Sequence, residues 1–481
     1  MARTQEEQKE LRRQKILNDP ITPLLIRMAI PTMVGMMVAT IYNLTDTFFI
    51  GMLKDTAMTA AIGIVYSFVS FIQALGFWFG YGSGNVMSRL LGQKKDEDAQ
   101  IYASNGVVMA AVSGIILMVL GLIFLHPLAG FIGGSASEKL LEYTRVYLAI
   151  MLIAVPFSLY STTVYNQMRL CGNAKDAVLG SLSGIVVNIV LDPILIFGFD
   201  MGLEGAGIAT LIGQIIGCVA LTILADRHGN IPVRPLKARF HQWGEDRQNH
   251  HPVYPILAGG SPNFSRQGIT SLASVLLNIA AAPYGETMLA ALTVTTRITA
   301  LCYLLMIGFG QGFQPICAMN YGAGKYDRVR KALMTTLRVG TVLLVIGTVI
   351  LLIFAEAFTG VLTKDSEVIA IGARLLRYQC ISLPFLGLYA YSGMFFQNIG
   401  QYMKALIISV MRQGIVYIPL LYILTLTMGV NGFYILQPAS DLISAAVAGV
   451  VLYRGVKCTV TDRFVMPSST RQPERRCSSG Q

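Results

Sequence analysis

Twelve long apolar runs, separated by short polar segments, constrain this chain more than any single motif does. They fall near 24–50, 57–82, 101–125, 142–168, 177–199, 205–225, 254–283, 288–318, 332–358, 367–396, 403–428 and 432–456. A helix of about 20 apolar residues crosses the hydrocarbon core of a bilayer. The chain of 481 residues is 54% hydrophobic and 13% charged, whereas soluble domains carry about 25% charged residues. The pattern predicts an all-α polytopic membrane protein with twelve transmembrane helices. Gly35, Pro156, Gly217, Pro262, Gly310, Pro384 and Pro419 lie inside these runs, where bundled membrane helices tolerate them. The charged amino terminus leads into a first run too long for a removable signal peptide, so that span is expected to remain.

The net charge of +11 does not point to nucleic acid, because no basic cluster is interleaved with aromatic residues. Lys and Arg crowd instead into alternate loops and the two tails. The intervening loops hold only Lys54, Lys139 and Lys364. By the positive-inside rule both termini and the segment 226–253 are cytoplasmic, which requires an even number of spans. The seven cysteines show neither C-x-x-C nor metal-ligand spacing. No metal site and no cofactor is expected.

The two halves of the chain repeat. Pro156-Phe157 and Pro384-Phe385 align at an offset of 228, and Gly92-Gln-Lys-Lys aligns with Gly322-Ala-Gly-Lys at 230. Two six-span lobes in the same orientation are therefore related by a pseudo-two-fold axis along the membrane normal, an arrangement that places a substrate site between them. The expected divisions are a cytoplasmic segment 1–23, lobes 24–225 and 254–456 joined by a linker 226–253, and a cytoplasmic tail 457–481.

Function shows where the repeat fails. Asn188 and Asp192 lie four residues apart in an otherwise apolar span, hence on one helical face, with Ser181 two turns earlier. An ionisable group at such depth is expensive and marks a functional candidate. Asp46 lies near the outer end of the first span, with Tyr42 one turn before it. At the repeat offsets Asp46, Asn188 and Asp192 align with Leu276, Val416 and Leu420. The acidic pair belongs to the amino half alone, which favours function over packing. Two carboxylates with an amide and hydroxyls suit either a proton or a hard cation such as sodium. Pro31 and Gly35 offer a hinge in the first span. Pro193, directly after Asp192, leaves the Ile189 carbonyl without its usual helical donor.

Gln73, Arg297 and Arg412 are candidates to line a substrate cavity. Two of them have a structural alternative, an interhelical hydrogen bond for Gln73 and a pairing with backbone carbonyls or with Asp441 for Arg412. Arg266-Gln267 forms a further polar pair in the seventh span. An intramembrane aspartyl protease would also use two carboxylates, but its Tyr-Asp and Gly-x-Gly-Asp motifs are absent and the repeat would have no explanation. No enzymatic activity is expected.

Asp46-Thr-Phe-Phe-Ile-Gly51, Asn188-Ile-Val-Leu-Asp-Pro193, Glu204-Gly-Ala-Gly-Ile-Ala-Thr210 and Gly312-Phe-Gln-Pro-Ile-Cys-Ala-Met-Asn-Tyr-Gly-Ala-Gly324 together resemble the multidrug and toxin extrusion (MATE) transporters, over about residues 20 to 457. The resemblance implies two six-helix lobes around a V-shaped cavity and export of small organic, cationic drugs or metabolites in exchange for protons or sodium. It implies an ion-coupling set of Tyr42, Asp46, Asn188, Asp192 and Thr210. It implies a monomer in the cell membrane with lipids as its surroundings. The acidic residues that another subgroup carries in spans 7 and 10 are missing here. The competing transport reading, a flippase for a lipid-linked precursor, would require several basic residues around the cavity.

Overall fold

A computed structural model describes residues 4–53, 55–134, 137–228, 230–231, 234–240 and 252–461, apart from the side chains of residues 40–47, 236 and 457–461. Among the described residues there is no β-strand. The amino half contains α1 (Gln5–Asn18), α2 (Ile21–Gly51), α3 (Thr56–Gly92), α4 (Asp96–Ile123), α5 (Leu125–Phe131), α6 (Glu138–Leu170), α7 (Ala174–Pro193) and α8 (Gly202–Ala225). The carboxy half contains α9 (Val253–Ala281), α10 (Glu286–Gly322), α11 (Tyr326–Ile353), α12 (Ala355–Leu362), α13 (Ser366–Cys380), α14 (Leu386–Asn398), α15 (Tyr402–Val410), α16 (Tyr417–Met428) and α17 (Val430–Thr461).

Each apolar run has a helical counterpart, but two of them are not apolar, continuous spans. Among the described residues ten segments are long and apolar enough to cross a membrane. The other two of the twelve are α9, which carries Arg266 and Gln267, and the pair α13 and α14. That pair is interrupted by a 3₁₀ turn at Leu383–Phe385, where Pro384 has no N–H to continue the ladder. The repeat is unequal here, because Pro156 sits inside the unbroken α6. Likewise α2 runs through Pro31 without interruption.

Proline 193 widens its helix and does not end it. A π turn, Ile194–Gly198, continues α7, and the Phe199 N–H reaches Ile194 O at 3.0 Å. A second π turn, Met411–Ile415, joins α15 to α16, with the Val416 N–H on Met411 O at 3.0 Å. Such i→i+5 turns recur at functional sites. The one in the carboxy lobe places Arg412.

The lobes meet through two reciprocal pairings, α3 on α9 and α2 on α10, as a two-fold axis demands. Thr32 Oγ1 of α2 lies 2.7 Å from Gly308 O of α10, and Trp78 Nε1 of α3 donates to Leu257 O at 2.7 Å. A Cβ at Gly92 would stand 2.1 Å from Met319 O, and one at Gly322 would stand 2.0 Å from Arg89 O. These are the same contact seen from each lobe, since Arg89 and Met319 are themselves 230 apart. Gln311 Nε2 donates to the hydroxyl of Tyr81, its own repeat mate, at 3.2 Å. Only glycine lets the backbones approach so closely.

The face of the molecule that carries these glycines is further closed by α1. Thr4 and Glu7 form a capping box that starts this helix, and Ile16 and Leu17 are buried in the core between the lobes. Lys9 pairs with Asp96 at 2.9 Å, and Arg12 Nη1 donates to Asn230 Oδ1 at 2.8 Å. From the carboxy half, Lys325 Nζ reaches Leu17 O at 3.1 Å and Arg328 Nη2 reaches Asp19 O at 2.7 Å. At the other face Asp55 caps α3 by accepting from the Ala57 N–H at 2.9 Å. Lys139, 2.9 Å away, holds the Asp55 carboxyl below the usual carboxylate range.

Candidate functional site

Close helix packing builds the amino-lobe pocket. At the crossing of α7 and α8 a Cβ on Gly184 would lie 2.4 Å from Gly213 O, so the two backbones touch. That contact brings Asn188 of α7 against Thr210 of α8, and the Asn188 amide donates to Thr210 Oγ1 at 3.2 Å. Asn188 and Asp192 are 1% and 0% exposed, and Thr210 is 8% exposed. A carboxylate removed this far from water requires compensation by hydrogen-bond donors, a proton or a cation. Asp192 sits one turn beyond Asn188 on the buried face of α7. Tyr42 and Asp46 lie on α2, and their side chains are outside the described residues.

Between the lobes lies a cavity of about 790 Å³, within the range of small-molecule sites. Asn188, Thr210 and Gln73 line its amino-lobe wall with Tyr66, Phe77 and Tyr81. Arg412 lines the opposite wall with Arg266, Tyr303, Gln379, Tyr389 and Asp441. Arg297 does not line it. Four-residue spacing puts Arg297 on the exposed stripe of α10 with Leu301 and Leu305, whereas Thr296 and Tyr303 face inward.

Arg412 is not a free cation. Its Nε meets Asp441 Oδ1 at 2.7 Å, and its carbonyl accepts from Ser440 Oγ at 2.6 Å. Asp441 also accepts from Gln437 Nε2 at 2.7 Å and from Ser382 Oγ at 3.0 Å. The break between α13 and α14 is what points Ser382 at this carboxylate. The pair is thus a satisfied buried network, costly to halve.

Arg169 follows directly on the run 142–168, where a basic residue reads as loop, yet it is 1% exposed and bridges the lobes. Its Nη1 donates to Gln311 O at 3.0 Å and Gln314 Oε1 at 2.8 Å, and the guanidinium stacks 5.0 Å from the Tyr81 ring centre. Among the described residues no group of three His, Cys, Asp or Glu side chains could hold a metal ion.

A model of the MatE family matches residues 31–194 and 263–423. The multidrug export protein MepA of Staphylococcus aureus (strain MRSA252) is 26% identical over 435 residues, which cover 90% of this chain and 94% of that protein. The protein of the same name from Staphylococcus saprophyticus is 26% identical over 430 residues, covering 89% and 93%. Among solved structures, the outward-facing conformation of a multidrug resistance MATE family transporter of the MOP superfamily gives a TM-score of 0.83 at 23% identity, covering 92% of this chain and 98% of that one. A MOP superfamily transporter from Pyrococcus furiosus, whose binding pocket is described as of reverse polarity, gives 0.84 at 22%, covering 93% and 98%. The two structures establish a shared two-lobe fold. The matched segments fall one on each half and together exceed half of the chain, and this protein therefore belongs to the MatE family of membrane transporters.

Proposed function

We propose that the protein is a proton- or sodium-coupled antiporter that exports small organic, cationic drugs or metabolites by alternating access between its two lobes. The observation that carries this reading is the position of Asp192. It is fully buried one turn from the Asn188–Thr210 pair, and that pair forms part of the wall of an interlobe cavity. Tyr42, Asp46, Asn188, Asp192 and Thr210 form the coupling site in this reading, and Gln73 contributes to the substrate surface. Arg297 drops out of the substrate surface, and Arg412 serves it through its pair with Asp441. The names of the multidrug exporters from Staphylococcus support drugs as the exported compounds.

Coupling follows from competition for negative charge. Loading the acidic pocket with the coupling ion cancels the charge that attracts a cationic substrate, so the two are held alternately. The α1 face is cytoplasmic in this reading, as are both termini, and the glycine-tight seal there corresponds to a cavity open to the outside. The protein acts as a monomer surrounded by lipid. A lipid-linked precursor flippase is less well supported, because one of the two cavity guanidinium groups is already neutralised by Asp441.

The test is dye export from reconstituted vesicles with a proton gradient and a sodium gradient imposed separately. Export driven by one gradient identifies the coupling ion. Export indifferent to both would refute the antiport reading.

A further inference from the structure

Charge is spread unequally over the two cavity walls. Among the described residues, those lining the amino-lobe wall include no Lys or Arg. The carboxy-lobe wall presents two guanidinium groups, Arg266 and Arg412, against one carboxylate, Asp441. The single charge of Asp441 is taken by Arg412, and Gln437 and Ser382 also bond to it.

Arg266 is left over. Its guanidinium donates from Nη1 to the Tyr303 hydroxyl at 3.2 Å, and among the described residues no carboxylate lies within ion-pairing distance of it. The same Tyr303 carries Arg412 5.1 Å over its ring, which fixes the phenol between the two guanidinium groups. A guanidinium offers five N–H donors in a rigid fork that matches a carboxylate. At membrane depth an uncompensated charge is expensive and marks a ligand pathway. Arg266 lines the cavity on α9, the span whose polar residues keep it out of the apolar class.

We propose that Arg266, oriented by Tyr303, is an anion-binding subsite that takes the carboxylate of amphiphilic compounds, including zwitterions whose cationic end faces the acidic amino lobe. The proposal deepens the export reading by naming a substrate class. The subsite itself is a statement about binding, so the two can fail separately. A carboxylate at Arg266 recovers the charge-assisted bonds that the protein leaves unmade, and the substrate's apolar body lies across Tyr303, Tyr389 and Phe77.

The experiment compares an aminoxanthene dye bearing a free carboxylate with its methyl ester, by fluorescence polarisation on the purified full chain in neutral detergent. The wild type is expected to bind the carboxylate form about tenfold more tightly relative to the ester than Arg266→Gln does, the worth of a charge-assisted hydrogen-bond pair. Arg266→Lys should retain part of the preference, because charge survives and the fork does not. Arg297→Gln should retain all of it. Equal loss for both dyes in Arg266→Gln, or a wild type that binds the ester as well as the acid, overturns the subsite. Failure of the wild type to bind either dye overturns it too. If Arg266→Gln does not fold, a wild-type preference kept in part by Arg266→Lys supports the subsite, and one unchanged in it overturns the subsite. A preference that persists without gradient-driven transport would sink the export reading and leave the subsite standing.

Discussion

Replacing Gly322 by alanine should force open the face that α1 covers. The added Cβ would stand 2.0 Å from Arg89 O, against ordinary contact at 3.4 Å or more. The obstacle is backbone on both sides, so no side chain can swing away, and α3 and α10 must part by more than an ångström. Overpacking of this kind costs about 1–3 kcal/mol. Taking about 2 kcal/mol, the ratio of closed to open forms of this face falls about thirtyfold. Spin labels on exposed Lys94 and Asp327, in a background without other cysteines, report the separation by double electron–electron resonance. The wild type should give one short, narrow distance, and Gly322→Ala a longer population. Gly92→Ala should reproduce the shift, because its Cβ meets Met319 O at 2.1 Å in the symmetry-related contact. An unchanged distance distribution in a folded Gly322→Ala would refute the account of the seal.

Three further outcomes follow. Gly184→Ala, whose Cβ would lie 2.4 Å from Gly213 O, should separate α7 from α8, break the Asn188–Thr210 bond and abolish dye export while the protein still inserts. Arg412→Met alone should lower stability by about 3–5 kcal/mol, whereas Arg412→Met with Asp441→Leu should recover most of it; thermal unfolding of both checks this, and equal losses would show that the pair is not a closed network. A cysteine at Gln242, outside the described residues, should resist an impermeant thiol reagent in intact cells, while one at Asp55 reacts; the reverse pattern would invert the orientation.

The sequence revealed the spans because an apolar run of membrane length has few other uses, and it revealed the lobes because the repeat preserved Gly92 with Gly322 and Pro156 with Pro384. It did not reveal what the repeat does differently in each half. Pro384 interrupts a span and Pro156 does not, and periodicity carries no sign of that difference. The π turn at Met411–Ile415 was equally hidden, because the same residues read as ordinary helix. The helix α1 has a sequence signal in Thr4-x-x-Glu7, a capping-box pattern, which the high charge of the segment masks. Asn188 and Thr210 were linked in sequence through family resemblance, and the α7–α8 glycine contact supplies the physical reason. Arg297 misled because an arginine in an apolar run looks interior, while its neighbours on the stripe, Leu301 and Leu305, face outward. Arg169 was hidden by the opposite error, since a basic residue at a span end looks like loop.

In the proposed mechanism a buried amino-lobe carboxylate couples ion entry to substrate exit. Efflux of a cationic dye from vesicles containing Asp192→Asn, with the effective gradient imposed, tests it most directly. The variant is expected to be folded, inserted and able to bind dye, with gradient-driven efflux lost. Efflux at the wild-type rate, still driven by the gradient, would contradict it.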